Sequence, residues 1–448
     1  MEKLVKQTLV FIVSMLFMLI YFQHLTKIIK IAKLHGSFQE YKRPKASVKT
    51  WISADFQKLF GPYIEQNIGF RNILIRIKNQ IEFSLFKLNS ANSVIIGKKD
   101  YLFELNYISD YTGKSFIGKK QADERLLKLK YIQDQLKKKN IDLVIAFAPG
   151  KASFYPEYIP DMYLEKGKTI SNYIYFSKKS RELGINTIDF NRYLMNIKDS
   201  VSWPIYPKGG IHWSIYGMGI CMDSLVNYFE KLRGIEMLDF GWTSLEITNK
   251  LRETDDDVND GMNLLWNIPT AACAYPNFTF GESTPKVKPA VLTIADSFYW
   301  TPFGSGISGR LFSMNDYWYY YEQAYDGNGN QYNVKDLDRK KEFEKHDIIL
   351  LLATEANLSR FPFGFIEDAW RLYFPETTEE RMSMFRSIIN SDSSWVADVS
   401  LEVSKTGKSF DKAMNDEIEK AVHYDTTQKM NSGSVKDRTN IQRYWPVK

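Results

Sequence analysis

Two short stretches carry residue types that could do chemistry together. GGIHW (209–213) sets His212 in a glycine-rich loop just ahead of a helix-like segment, and VLTIADS (291–297) closes an apolar run on Asp296 and Ser297. A serine hydroxyl is a weak nucleophile near neutral pH and needs a neighbouring base, most often imidazole. At the end of a buried strand it would stand at the sheet's edge, near backbone amides able to hold an oxyanion. Each residue also has a plainer reading: Ser297 as a cap or turn residue, His212 as a packing histidine at a helix start. The other histidines are worse placed. His24 and His35 flank an apolar N-terminal run, and His346 and His423 stand beside charged helical segments. Lys151, after the run IDLVIAFAP, is a candidate contact for an anionic or oxygen-rich substrate. Trp213, Phe298, Tyr299 and Trp300 could form an aromatic platform for sugar rings, with core packing as the alternative.

The elements that must position these residues alternate in type. IDLVIAFAP (141–149), INTIDF (185–190), AVLTIADS (290–297) and DIILLLATE (347–355) read as strands, the more apolar of them buried on both faces. ADERLLKLKYIQDQLKKKN (122–140), YIYFSKKSRELG (173–184) and SIYGMGICMDSLVNYFEKLRG (214–234) read as helices, the last with Ser214 as N-cap. This alternation predicts an α/β fold, a parallel sheet covered on both faces, with ligands at the carboxyl ends of the strands. SVIIGKKDYLFEL (93–105) predicts a hairpin, and residues 50–90 predict helices beside the main domain. After about residue 365 the chain predicts two or three polar helices packing on the sheet domain or a partner, with the last 20 or so residues loose.

Composition narrows the classes. The 448 residues are 44% hydrophobic and 25% charged, a globular balance. A net charge of +6 without a basic stripe gives nucleic-acid binding little support. Cys221 and Cys273 offer neither metal spacing nor a disulfide framework, and either a pair or two buried thiols is open. The run TDDDVNDGMNLLWN (254–267) resembles a calcium loop at Asp255, Asp257 and Asn259. It fails as one, because Asp260 takes the turn glycine's place and Trp266 the final glutamate's. It reads as a loop capping a helix that contains MNLLW. No G-x-S-x-G elbow, P-loop or H-E-x-x-H pattern occurs, and no metal or cofactor is expected. Between Lys6 and Lys27 lie 20 uncharged residues, enough to span a bilayer once. With no small-x-small cleavage site after them, they read as an uncleaved signal anchor. Lys27, Lys30 and Lys33 would hold the C-terminal side in the cytoplasm, but long domains translocate regardless of such charges.

Four stretches, spread over roughly residues 55–360, resemble one family when taken in order. NIGFRN followed by VIIGKKDYLFEL is similar to its "fRe" and "GkdGWLF" patterns, and APGKASFYPEYIP to its "PpKasvYPeylP" segment. GGIHWSIYG lies where the family has a D-x-H-W motif, and VLTIADSFYW where it has a serine after a strand. The family is that of the AlgJ/AlgX-like alginate O-acetyltransferases, within the SGNH-hydrolase-like superfamily. The resemblance implies a three-layer α/β sandwich with a mostly parallel sheet, a transmembrane anchor before it and a helical extension after it. The expected boundaries are a tail at 1–7, the anchor at 8–26, a juxtamembrane helical region at 27–92, the SGNH-like domain at 93–362 and the extension at 363–448.

It further implies acetyl transfer to a cell-envelope or extracellular polysaccharide. The chain would be a single-pass membrane protein facing the periplasm, supplied by a membrane-bound O-acyltransferase. Ser297 would carry the acetyl ester, His212 would move the proton, and amides near Ser297 would hold the oxyanion. A polysaccharide acetylesterase, or a non-catalytic glycan-binding subunit of an export complex, is the alternative. One position departs from the pattern: where the family has its orienting aspartate, this chain has Gly210. Three explanations compete. An acid from elsewhere, such as Asp296 or Asp260, stands in; a backbone carbonyl orients the ring; or the site is weak or inactive and retains only glycan binding. A working dyad or a distant acid ranks first, because Asp296 is expected to point away and serve its turn.

Overall fold

The apolar run Asp142–Ala148 is buried at every position and forms strand β1 in the computed structural model, which describes residues 2–36, 39–281, 286–373 and 377–432, with side chains to 423. Six more strands join it: β2 (Thr187–Asp189), β3 (Ala290–Ala295), β4 (Met314–Tyr319), β5 (Gln323–Tyr325), β6 (Gln331–Asn333) and β7 (Ile348–Thr354). Their order across the sheet is β6-β5-β4-β3-β7-β1-β2. The five strands from β4 to β2 run parallel, and β5 and β6 add an antiparallel edge. The register of β7 pairs Ile348 with Asp142 on one side and with Val291 on the other. The carboxyl ends of β1, β7 and β3 therefore lie side by side. The sheet is mixed and mostly parallel, as an α/β fold requires.

Alternate strand residues point to opposite faces, and both faces are filled. Leu143, Ile145, Phe147, Leu292, Ile294, Ile349 and Leu351 share one core cluster with helix α1 (Lys119–Lys137) through Leu126, Leu129 and Ile132. Phe176, from α2 (Asn172–Glu182), joins the same cluster. On the opposite face Val144, Ala146, Leu350 and Leu352 are buried as well. Each such Leu or Ile contributes roughly 1.5–3 kcal/mol relative to exposure, which is why the runs read as continuous rather than alternating. Helix α3 (Ile215–Arg233) opens on Ser214, whose Oγ accepts from the Gly217 amide at 3.1 Å, and closes on Gly234 at a φ of 63°. Its last residue, Arg233, donates to Asp142 Oδ2 at 2.8 Å at the start of β1.

The helical C-terminal region is part of this core. Helices α4 (Phe365–Tyr373), α5 (Thr378–Ser391), α6 (Ser393–Thr406) and α7 (Phe410–Ser432) contribute Trp370, Phe385, Ile388, Trp395, Met414 and Ile418 to the cluster that holds the sheet. Residues from 433 onward, which include most of the tail expected to be loose, lie outside the described residues.

The chain clusters into two compact units. One comprises Met1–Glu104, Lys208–Ile211 and Arg252–Ala271; the other comprises Leu105–Pro207, His212–Leu251 and Ala272–Lys448 and contains the sheet. The first holds the helix Glu2–Thr26, long and apolar enough to cross a membrane, with a mean hydropathy of 2.0 over its most apolar window. It also holds the hairpin Val94–Ile96 with Leu102–Glu104, as the pattern predicts. The helix expected over MNLLW is displaced: the helical turn is Asp257–Gly261, and Asn263, at a φ of 50°, ends it before the apolar residues. An antiparallel pair, Phe240–Thr248 with Cys273–Phe280, lies outside the main sheet and was not anticipated. Cys221 and Cys273 are both buried and form no disulfide among the described residues.

Candidate active site

Ser297 is presented by the turn that follows β3. Ala295 ends the strand, Asp296 caps a single 3-10 turn (Ser297–Tyr299), and the Asp296 Oδ1 accepts from the Phe298 amide at 3.1 Å. Its other oxygen, Oδ2, accepts from the Thr354 amide at 2.7 Å, the Thr354 hydroxyl at 2.8 Å and Asn357 Nδ2 at 2.9 Å. Thr354 is the last residue of β7, so one buried carboxylate ties the ends of two neighbouring strands and fixes the serine turn between them. The Tyr317 hydroxyl donates to the Asp296 carbonyl at 2.7 Å from β4.

His212 reaches this turn. Its Nε2 lies 2.9 Å from Ser297 Oγ, and both residues are half-buried, so the pair is open to solvent on one side. The imidazole packs on Phe298, ring centroids 4.9 Å apart, and Phe298 in turn meets Trp213 edge-on at 5.3 Å. Ser214 secures the far side of the loop: its Oγ donates to the Pro204 carbonyl at 2.7 Å and its amide to the Ile205 carbonyl at 2.7 Å. For His212 to take the serine proton, Nε2 must carry the lone pair and Nδ1 the proton.

The amides of Phe298, Tyr299 and Trp300 already donate, to Asp296 Oδ1, the Asp296 carbonyl and the Ser297 carbonyl. The Ser297 N–H is left as the amide of this turn without an acceptor among the described residues. A developing oxyanion would find that donor here.

The two candidate acids both have other partners. Asp296 serves Phe298, Thr354 and Asn357, as its place in the turn requires. Asp260 accepts from Asn267 Nδ2 at 2.7 Å and stabilises its own loop. The aromatic platform is corrected. Trp213 and Tyr299 are 2% and 0% exposed, and Lys151 is 0% exposed, so none of the three offers a surface to a ligand. Trp300 is half-buried and stacks edge-on with Tyr317 at 5.0 Å and Tyr325 at 4.8 Å.

Sequence reasoning passed over the polar ends of β7. Thr354 and Asn357 hold Asp296, and Glu355 is buried at 2% exposure beneath the strand ends. Burial, reinforced by the nearby Asp110 charge, pushes the Glu355 carboxyl up to about 8, while the Ser153 hydroxyl donates to it. Burial likewise raises Asp110 to about 6, against hydrogen bonds from Ser115 Oγ at 2.7 Å and Asn172 Nδ2 at 3.1 Å. The signal was the step from an apolar run to Thr-Glu-x-Asn at the sheet's active edge.

Also passed over was Asp257. Its Oδ1 accepts from the Ile211 amide at 3.1 Å, and the Val258 and Asn259 amides both donate to the Gly209 carbonyl, at 3.1 and 3.0 Å. A Cβ on Gly209 would sit 1.9 Å from Asp256 Oδ1, so a side chain there would force Asp256 to move.

Residues 94–239 match the family model described as the SGNH hydrolase-like domain of the acetyltransferase AlgX. The probable alginate O-acetylase AlgJ of Pseudomonas aeruginosa is 27% identical over 160 residues, which is 35% of this chain and 38% of that protein. The chain thus spans well under half the length of that curated relative. Similar solved structures include the O-acetyltransferase domain of Pseudomonas putida AlgJ, at 16% identity over 62% of this chain and 99% of that one, with a TM-score of 0.40. Pseudomonas aeruginosa AlgX aligns at 13% identity over 61% of this chain and 67% of its own, also with a TM-score of 0.40.

Proposed function

We propose that this chain is a serine-dependent O-acetyltransferase acting on an alginate-like polysaccharide. The observation that carries the proposal is the 2.9 Å approach of His212 Nε2 to Ser297 Oγ at the carboxyl edge of the sheet. The AlgX-type match and the similarity to AlgJ support acetyl transfer as the reaction class.

In the first half-reaction Ser297 Oγ attacks the donor's acetyl carbonyl as its proton passes to His212 Nε2. The Ser297 amide donates to the oxyanion, an interaction of a kind worth about 3 kcal/mol when it forms only in the transition state. The tetrahedral species collapses, the imidazolium protonates the departing group, and the acetyl rests as an ester on Ser297. In the second half a sugar hydroxyl gives its proton to His212 and takes the acetyl, returning Ser297 to its hydroxyl form. The helix Glu2–Thr26 fits a signal anchor, holding the sheet unit at the periplasmic face, where a membrane-bound O-acyltransferase would supply acetyl groups.

The test uses the detergent-solubilised full chain, a small acetyl ester as donor and polyuronate oligosaccharides as acceptor, with acceptor mass read by mass spectrometry. The expected result is acetylated oligosaccharide from the native protein and a loss of roughly a thousandfold or more in Ser297→Ala. Equal turnover by the two proteins would sink the nucleophile assignment. Ester hydrolysis without acceptor acetylation would replace transferase by esterase.

A further inference from the structure

We propose that the helix Arg71–Phe86 lies on the bilayer surface beside the anchor, with an exposed apolar stripe seated among the lipids; the inference rests on reading Glu2–Thr26 as a membrane anchor. A helix at the surface of a globular protein normally turns its apolar face inward and its polar face to water. This one does the reverse. At about 100° per residue, Leu74, Ile77, Ile81 and Leu85 fall on one narrow stripe. All four are exposed, from 38% for Ile77 to 70% for Leu85. The opposite face is polar and engaged. Asn72 Nδ2 donates to the Ala32 carbonyl at 3.1 Å, and Arg76 to the Ala32 and Lys33 carbonyls at 3.0 and 2.7 Å. The buried Asn79 donates to the Met262 carbonyl at 2.9 Å.

The helix also starts where the anchor ends. A Cβ on Gly69 would meet the Ile20 carbonyl oxygen at 2.1 Å, and His24 Nδ1 donates to the Asn67 carbonyl at 2.6 Å. The segment just before Arg71 therefore packs on the last turns of Glu2–Thr26. Those turns mark the level at which the chain leaves the hydrocarbon, since the uncharged run stops at Lys27. An amphipathic helix lying in that plane buries its apolar face about 5–10 Å into the boundary between headgroups and acyl chains. The charge of the region suits an anionic headgroup layer: residues 27–92 hold twelve Lys and Arg against four Asp and Glu, in a chain whose net charge is only +6. Lipid is favoured over another protein as the occupant, because the anchor holds this helix at the interface whether or not a partner is present.

The test uses the full chain in nanodiscs of phosphatidylethanolamine and phosphatidylglycerol, with an environment-sensitive fluorophore on one introduced cysteine at a time. Ile81→Cys reports the stripe, Phe11→Cys the anchor, and Asn328→Cys an exposed turn of the sheet unit. Cys221 and Cys273 are buried and stay in place, with the unsubstituted chain as the labelling blank. Quenching is read from nitroxide-bearing lipids and, separately, from iodide in the water. The expected result at Ile81 is severalfold stronger quenching by a nitroxide high on the acyl chain than at Asn328, together with protection from iodide. Leu74→Cys should behave as Ile81→Cys does. An Ile81 label as open to iodide as the Asn328 label overturns the inference. Protection from iodide without lipid quenching overturns it too, and assigns the stripe to a second copy or another protein. If the Phe11 label escapes a nitroxide placed deep in the bilayer, the anchor reading has failed first. If Phe11 is quenched there and Ile81 is open to iodide, the inference about the stripe fails alone.

Discussion

Replacing Glu355 by glutamine should abolish a loss of stability that the native protein suffers as pH rises. The side chain sits fully buried past the end of β7, with its carboxyl raised from 4.5 to about 8 chiefly by burial. Between those two values the unfolded chain has released a proton that the folded chain keeps. The native state is then disfavoured by up to about 1.4 kcal/mol per pH unit. Its advantage is intact below pH 4.5 and is lost as pH climbs toward 8, which amounts to roughly 3–4 kcal/mol between pH 5 and 8. Glutamine keeps an acceptor for the Ser153 hydroxyl and does not titrate. Asp110, raised to about 6, titrates in both proteins, so the difference reports Glu355 together with its coupling to Asp110. The assay is urea unfolding of the detergent-solubilised chain at stepped pH, followed by the fluorescence of the buried Trp318, Trp370 and Trp395. The stability difference between Glu355→Gln and the native protein should grow in favour of the variant from pH 5 to pH 8. A difference that stays constant across that range refutes the claim that folded Glu355 holds its proton.

Two more substitutions test the frame around the serine. Thr354→Val removes the hydroxyl that donates to Asp296 Oδ2 at 2.8 Å while leaving the amide in place; it should cost about 1–3 kcal/mol and lower kcat more than it raises KM, read from urea melts and steady-state kinetics. Trp370→Ala empties a fully buried position shared by α4 and the sheet core; a loss of about 3–5 kcal/mol is expected, and a native-like melting curve would show that the C-terminal helices are accessory to the core.

The sheet was legible because a strand buried on both faces must be apolar at every position, and IDLVIAFA, VLTIA and IILLLA satisfy that directly. Ser214 and Gly234 were equally plain, since a helix start needs a side-chain acceptor and its end a left-handed residue. Strand β4 was not, because Met314–Tyr319 carries Asp316 and Tyr317, whose polar atoms meet His346 and the Asp296 carbonyl only in the folded state. His212 and Ser297 could be nominated from residue type and setting, with the family resemblance narrowing the choice. Their 2.9 Å approach depends on a contact across 85 residues and has no local signal. The aromatic residues misled for the converse reason. Trp213 and Tyr299 flank the reacting pair in sequence, yet their rings turn inward and fill the core beneath it.

The grip on Gly209 has a bearing on how the protein is made. During synthesis the loop before His212 emerges first, and the amides of Val258 and Asn259 that secure it follow about 50 residues later, a delay of a few seconds at roughly 5–20 residues per second. Ser297 arrives later still. The base is therefore produced ahead of both its anchor and its nucleophile, and a nascent chain carries no assembled pair until β3 has left the ribosome and entered the sheet.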